Sequence, residues 1–304
     1  MTTLVYHAGA LGDFITALPA IAAWKRTRVP GGRLVLLGKP AHATLAVVVV
    51  DEAWDAGATR FASLFAGEAT AAVGAALAGV ESALVFAPEG AGVVAGLRRA
   101  GVREIVRQDP FPNSHVHVVD YHLSLFTDLA LLPEEKIPRV AIGAPDSTAH
   151  PVVLHPGSGS PDKNWPIERF VSLAVALADT GPIAWVVGPV EEESGVAAKI
   201  AAAAIPGAAS WRSLPLAELA RCLAGARLLV GNDSGVAHLA AAVGCPTVVL
   251  FGASDPAIWA PRGRTVVVVG DGTSGMASIP VTAVLAAARI AVTPLRAREG
   301  NSPG

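Results

Sequence analysis

The chain has 304 residues, a formal net charge of −2, 52% hydrophobic and 16% charged residues. That balance excludes a disordered chain and leaves no general positive field for nucleic acid, so any anionic partner must be held by local groups. At roughly 100 to 200 residues per domain, the length implies two domains, each with its own core.

The apolar opening, Leu4 to Trp24, lacks a basic leading segment and carries Asp13 at its centre, so it reads as strand, loop and helix rather than a signal peptide. Short β-branched runs then alternate with Ala- and Leu-rich segments throughout, the pattern of βα units and parallel sheets. In the first half, strands are expected at Leu4 to His7, Arg33 to Leu37, Ser82 to Phe86 and Glu104 to Val106. Helices are expected to start near Asp13, Ala41, Gly67 and Gly92. Pro138 to Pro151, with three prolines and Gly143, has no sustained periodicity and reads as the interdomain linker. The second half offers strands at Val152 to His155, Ile183 to Val187, Arg227 to Val230, Thr247 to Phe251 and Thr265 to Val269. The expected organisation is therefore an N-terminal domain over 1–140, a C-terminal domain over 151–285 and a helix end and frayed tail over 286–304. The two cysteines, Cys222 and Cys245, cannot form a disulfide framework, and a reducing cytoplasm fits them best.

Three segments carry chemistry. His7-Ala8-Gly9-Ala10-Leu11-Gly12-Asp13 is a strand end, a glycine turn and a helix start. Gly9 and Gly12 permit a sharp turn and close ligand approach, but the spacing is not G-x-G-x-x-G, which argues against a nicotinamide dehydrogenase. Asp13 is either a helix cap or a carboxylate at a strand's carboxyl edge, able to accept a hydroxyl proton. The second segment runs from His155-Pro156-Gly157 through Ser158, Gly159, Ser160 and Lys163 to Trp165-Pro166. Its exposed backbone donors, hydroxyls and point charge resemble a phosphate cradle, although it is no Walker A loop; the plainer alternative is a surface loop with a solvated lysine. Trp165 is expected to anchor this loop. The third segment, Asn232-Asp233-Ser234-Gly235, opens a short helix in which His238 lies one turn beyond Ser234 on the same face. Helix N–H groups there suit an anion, while Asp233 alone would read as an N-cap and His238 alone as a structural histidine.

Other groupings are weaker. His115, His117 and His122 lack the cysteine or carboxylate spacing of a metal site, so no metal and no cofactor are expected. Glu191-Glu192-Glu193 is a solvated helix start or, for one member, a ribose contact. Arg98, Arg99, Arg103 and Arg107 form a basic cluster whose default is a solvated helix face.

Taken together, Gly9-Ala10-Leu11-Gly12-Asp13 with Leu18-Pro19, the His155 to Pro166 loop, and Asn232-Asp233-Ser234-Gly235 with His238-Leu239-Ala240 and Gly244-Cys245-Pro246-Thr247 resemble the family 9 glycosyltransferases, the heptosyltransferases of the lipopolysaccharide inner core. The resemblance implies an α/β GT-B fold, with two Rossmann-like domains facing a central cleft, the acceptor bound by the first and the donor by the second. It implies inverting, metal-independent transfer of a sugar from a nucleotide-sugar donor, ADP-heptose in the family, to a lipopolysaccharide-core or related glycan or glycolipid acceptor. By resemblance Asp13 is the general base and Lys163 stands near the donor diphosphate. Ser158, Gly159, Asp233, Ser234, Gly235 and His238 are donor-binding, Glu191 approaches the ribose, and Gly9, Gly12, Arg98 and Arg99 are acceptor-side candidates. Such an enzyme is cytoplasmic, with any contact to the inner membrane peripheral, and does not bind nucleic acid. The competing readings are a sugar-nucleotide epimerase and a non-catalytic sugar-nucleotide-binding protein.

Overall fold

A computed structural model of the chain describes residues 1–143 and 149–292. The middle of the expected linker and the tail from Thr293 lie outside the described residues. The chain forms two compact units, Met1–Ala141 and Ile142–Gly304.

The first unit runs β1 (Thr2–His7), α1 (Leu11–Arg28), β2 (Arg33–Gly38), α2 (Pro40–Ala43), β3 (Glu52–Asp55), α3 (Ala62–Phe65), α4 (Ala71–Ala76), β4 (Val80–Phe86), α5 (Gly92–Arg99), β5 (Glu104–Gln108) and α6 (Val118–Leu123). Its strands form one parallel sheet in the order β3-β2-β1-β4-β5. Central parallel strands are covered on both faces, which is why Leu34 to Leu37 and Ala83 to Phe86 are continuous apolar runs with every side chain buried. α1 buries Phe14 through Ile21 without interruption. One turn on, Trp24 donates its indole N–H to Thr3 Oγ1 at 2.7 Å, fixing the helix to the sheet.

The second unit runs β6 (Val152–His155), α7 (Ile167–Leu177), β7 (Ile183–Val187), α8 (Pro189–Glu193), α9 (Val196–Ala202), β8 (Ala209–Arg212), α10 (Leu216–Ala224), β9 (Leu228–Asn232), α11 (Gly235–Ala242), β10 (Thr247–Leu250), α12 (Pro256–Trp259), β11 (Val266–Val269) and α13 (Val281–Val292). Its parallel sheet has the order β11-β10-β9-β6-β7-β8. Both sheets are Rossmann-like: the chain moves outward from the first strand in one direction, then returns beside it and proceeds in the other. The strand order reverses between β1 and β4 in the first unit and between β6 and β9 in the second, which is where ligands of such sheets bind.

Two local details differ from the expectations. The helix expected near Gly67 begins four residues on, at Ala71 with Thr70 as its cap, because Gly67 itself takes a positive φ of 80° between α3 and α4, a conformation that favours glycine. Two strands, β3 and β8, were not anticipated. Both are edge strands in which at most every other residue is partly buried, so no apolar run marks them. Among the described residues no helix is long and apolar enough to cross a membrane.

Candidate active site

In the first unit the β1 strand ends at His7, and the chain turns through Ala8 and Gly9 into α1. Ala10 is the N-cap and Asp13 the third helical residue, its Oδ2 accepting the Ala10 N–H at 3.0 Å. Asp13 therefore does close the helix end, by reaching back from the first turn rather than as the N-cap itself. A Cβ at Gly9 would lie 3.0 Å from both Asp13 Oδ2 and His7 Cε1, so glycine is what lets carboxylate and ring approach the loop together.

Asp13, His7 and Gly9 line a cavity of about 440 Å³ that opens at the reversal between β1 and β4. Its other walls are largely apolar, formed by Phe65, Phe86, Val93 and Phe111 with prolines and alanines. The first turn of α5, at Gly92 and Val93, faces it. Arg98 and Arg99, expected on the acceptor side, instead occupy the last turn of that helix, about 9 Å along its axis from Gly92. Arg99 donates to the Gly67 carbonyl, and neither arginine lines the cavity. Gly12 sits within α1 and does not line it either.

Beneath this cavity lies a ladder of alternating rings, His42, Phe14, His7, Phe86 and His122, with centroids 4.9 to 5.4 Å apart. The Nδ1 atoms of all three histidines are buried without a hydrogen-bond partner. Burial, then the neighbouring His42 and His122, lowers the His7 pKa to about 3. Burial, followed by Lys39, lowers that of His42 to about 4, and burial alone does the same for His122. His7 is thus a neutral ring beside Asp13. His117, once grouped with His122, caps α6 by accepting the Val119 N–H at 3.2 Å. Among the described residues no three His, Cys, Asp or Glu side chains are placed to hold a metal ion.

In the second unit the loops after β6 and β9 meet across the other reversal point. Lys163 Nζ pairs with Asp233 Oδ2 at 2.6 Å, and Ser254 Oγ donates to the same oxygen at 2.6 Å. Asp233 is therefore no N-cap. Ser234 takes that place, its hydroxyl accepting the Ala237 N–H at 3.4 Å and lying 3.2 Å from His155 Nδ1. His238 follows one turn into α11, buried on the same face. Asn232, fully buried at the end of β9, joins the loops: its Nδ2 donates to the Pro156 carbonyl at 2.7 Å and its Oδ1 accepts the Trp165 N–H at 3.1 Å. Trp165 anchors the loop as expected, donating its indole N–H to Ile279 O at 2.9 Å. Ser158, expected to face a phosphate, has its hydroxyl engaged with the Ser160 carbonyl at 2.6 Å, while nothing lies within 4 Å of a Cβ built at Gly159.

Glu191 alone of its run is buried. Its Oε2 accepts the Gly188 N–H at 2.6 Å, and a Cβ at Gly157 would lie 1.6 Å from its Oε1, so the carboxylate packs against the Gly157 backbone. Glu192 pairs with Arg212 at the surface. Sequence reasoning missed the roles of Asn232, Ser254 and His7. The position of Asn232 at a strand end before Asp233-Ser234 is the one signal that could have pointed to it.

Two parallel Rossmann-like sheets, each presenting polar loops at its reversal point, make up an α/β fold of GT-B type. The model of glycosyltransferase family 9 (heptosyltransferase) matches residues 79–279, and the chain belongs to that family. Lipopolysaccharide heptosyltransferase 1 of Pseudomonas aeruginosa is 34% identical over 142 residues, 46% of this chain and 38% of that protein. The namesake from Escherichia coli K12 is 34% identical over 122 residues, 39% of this chain and 37% of its own length. The matched stretches thus span well under half of these curated relatives. Among solved structures, E. coli ADP-heptose lipopolysaccharide heptosyltransferase II superposes with a TM-score of 0.77 at 20% identity, covering 96% of this chain and 98% of that one. An E. coli heptosyltransferase structure with ADP gives 0.69 at 20% identity, covering 96% and 100%.

Proposed function

We propose that the protein transfers a heptose from ADP-heptose to a lipopolysaccharide-core or related glycan acceptor, with inversion and without a metal ion. The observation that carries this reading is the gathering of Lys163, Asp233 and the start of α11 at the reversal point of the second sheet. The N–H groups of Ala237 and His238 return to the Ser234 carbonyl, whereas those of Gly235 and Val236, at the helix's first two positions, have no carbonyl within the helix to reach. Lys163, these donors and the helix dipole supply the positive potential that a departing diphosphate requires, the part a divalent cation plays elsewhere. Glu191, in the first turn of α8 after β7, takes the ribose side of the donor, and Ser158, Gly159 and His238 border it.

The first unit takes the acceptor. In the transfer step the acceptor hydroxyl oxygen forms a bond to the anomeric carbon, its proton passes to the Asp13 carboxylate, and the bond from that carbon to the diphosphate oxygen breaks, releasing ADP. Attack from the face opposite the leaving group inverts the anomeric configuration. The two free cysteines accord with action in the cytoplasm, where such an acceptor would be met peripherally at the inner face of the membrane.

The test is release of ADP from ADP-heptose with and without acceptor, in EDTA. Acceptor-dependent release that survives EDTA is expected. Conversion of the sugar nucleotide without acceptor would favour an epimerase, binding without turnover a silent binding protein, and a strict need for magnesium or manganese would refute the metal-free assignment.

A further inference from the structure

Ser254 follows β10, beyond the Asn232 to His238 segment, yet its hydroxyl reaches the donor side of the second unit. β9 and β10 pair with Leu250 opposite Asn232, and the Asp233 N–H donates to the Leu250 carbonyl at 3.1 Å, so the loop leaving β10 runs beside Asp233. That loop, Phe251 to Asp255, is held by the segment after β11. Gly272 and Gly275 donate their N–H groups to the carbonyls of Phe251 and Gly252, at 3.3 and 3.0 Å. At Gly272 a φ of 78° and the close approach of the Ser254 carbonyl leave no room for a Cβ. Asp255 then caps α12 by accepting the Ala257 N–H at 2.8 Å. Fixed on both sides, Ser254 directs its hydroxyl at Asp233 Oδ2, 2.6 Å away, the same oxygen that Lys163 Nζ meets at 2.6 Å.

Two donors thus share one carboxylate oxygen on a side chain that is only 8% exposed. A buried carboxylate needs donors to replace the water it has lost, and one left with a single cation holds that cation hard. The Lys163 ammonium carries three N–H groups, one of which Asp233 takes. We propose that Ser254 is a positioning residue for the donor diphosphate: by meeting part of the Asp233 charge, it keeps the Lys163 ammonium available to the phosphates. The proposal rests on the transfer reading above in taking a nucleoside diphosphate to bind beside Lys163. Without the hydroxyl, Asp233 draws on Lys163 alone, and the ammonium is held back from the anion. The effect belongs to the phosphates, so a nucleoside without them should not register it.

The test is isothermal titration of ADP and adenosine into the full chain as wild type, Ser254→Ala and Ser254→Thr, with Ser254→Ala repeated in an Asp233→Asn background. Ser254 is partly exposed, so neither replacement empties the core. Ser254→Ala is expected to weaken ADP by about three- to tenfold, the span of one hydrogen bond, and adenosine by less than about twofold. Ser254→Thr, which keeps the hydroxyl, should regain the ADP affinity. Once Asp233→Asn has removed the charge that the hydroxyl meets, Ser254→Ala should change ADP affinity by less than about twofold. Unchanged ADP affinity in Ser254→Ala, equal weakening of adenosine, no recovery in Ser254→Thr, or an equal loss in the Asp233→Asn background overturns the proposal while leaving the transfer reading in place. Failure of the wild-type chain to bind ADP at all would overturn the donor site itself, and the proposal with it.

Discussion

Replacing Lys163 with alanine isolates the charge that the account assigns to the donor diphosphate. Lys163 reaches Asp233 Oδ2 at 2.6 Å, with its side chain 34% exposed and that of Asp233 only 8%. A charge-assisted hydrogen bond contributes about 1.5 to 3 kcal/mol when well buried. Partial exposure of the ammonium, and its standing engagement with Asp233, hold the contribution to the lower part of that range. The expected loss of ADP affinity is therefore about 1.5 to 2 kcal/mol, or roughly 10- to 30-fold. Adenosine, which lacks the diphosphate, should bind within about twofold of wild type, since an ammonium contributes through charge rather than base recognition. Isothermal titration with both ligands reads the difference directly. Equal weakening of ADP and adenosine would show that Lys163 supports the fold or the base site instead, and an unchanged ADP affinity would remove it from the donor site. A melting curve guards the interpretation, because the deletion leaves a buried Asp233 carboxylate with Ser254 as its remaining side-chain donor.

Two further predictions concern stability. Gly157→Ala sets a Cβ 1.6 Å from Glu191 Oε1 and must expel a buried carboxylate that accepts the Gly188 N–H, so urea unfolding should show a loss of about 1 to 3 kcal/mol. Gly159→Ala, two residues on, meets nothing within 4 Å and should stay within about 0.5 kcal/mol; equal effects would contradict the packing described. The histidines buried as neutral rings, His7 with a pKa of about 3 and His42, His122 and His155 of about 4, bind protons more readily when unfolded. Their contribution is fully present above pH 6.5, the ordinary histidine value, and is lost as pH falls toward these folded values, each ring adding up to about 1.4 kcal/mol per pH unit. Urea midpoints flat from pH 7.5 to pH 5 would contradict this, whereas a slope that lessens in His42→Leu would support it.

The fold was readable where burial is two-sided. The central strands of both sheets appear as uninterrupted apolar runs, and their carboxyl ends carry the glycine turns. The edge strands β3 and β8, EAWD and ASWR, have no such signature because one side of each faces water. Asp233 reads as a cap from its place before a helix. It instead receives Lys163, 70 positions earlier, and Ser254, 21 later, and such approaches are set by sheet order rather than local pattern. The same holds for the ladder from His42 to His122, assembled from α1, α2, α6, β1 and β4. Glu191 reads as a solvated helix start, yet the neighbouring loop buries it against Gly157, a glycine whose need is visible only in three dimensions.

The division of labour between the two units is tested most directly by Asp13→Asn, which keeps the side chain's size and an oxygen able to accept the Ala10 N–H, but removes its charge and basicity. The measurement pairs ADP-heptose affinity by titration with the rate of acceptor-dependent ADP release at saturating donor. The account predicts affinity within about twofold of wild type and a rate reduced by a factor of about 10² to 10⁴, the range for loss of a general base. Weakened donor binding with an unchanged rate at saturation would place Asp13 with the donor and contradict its assignment as the base.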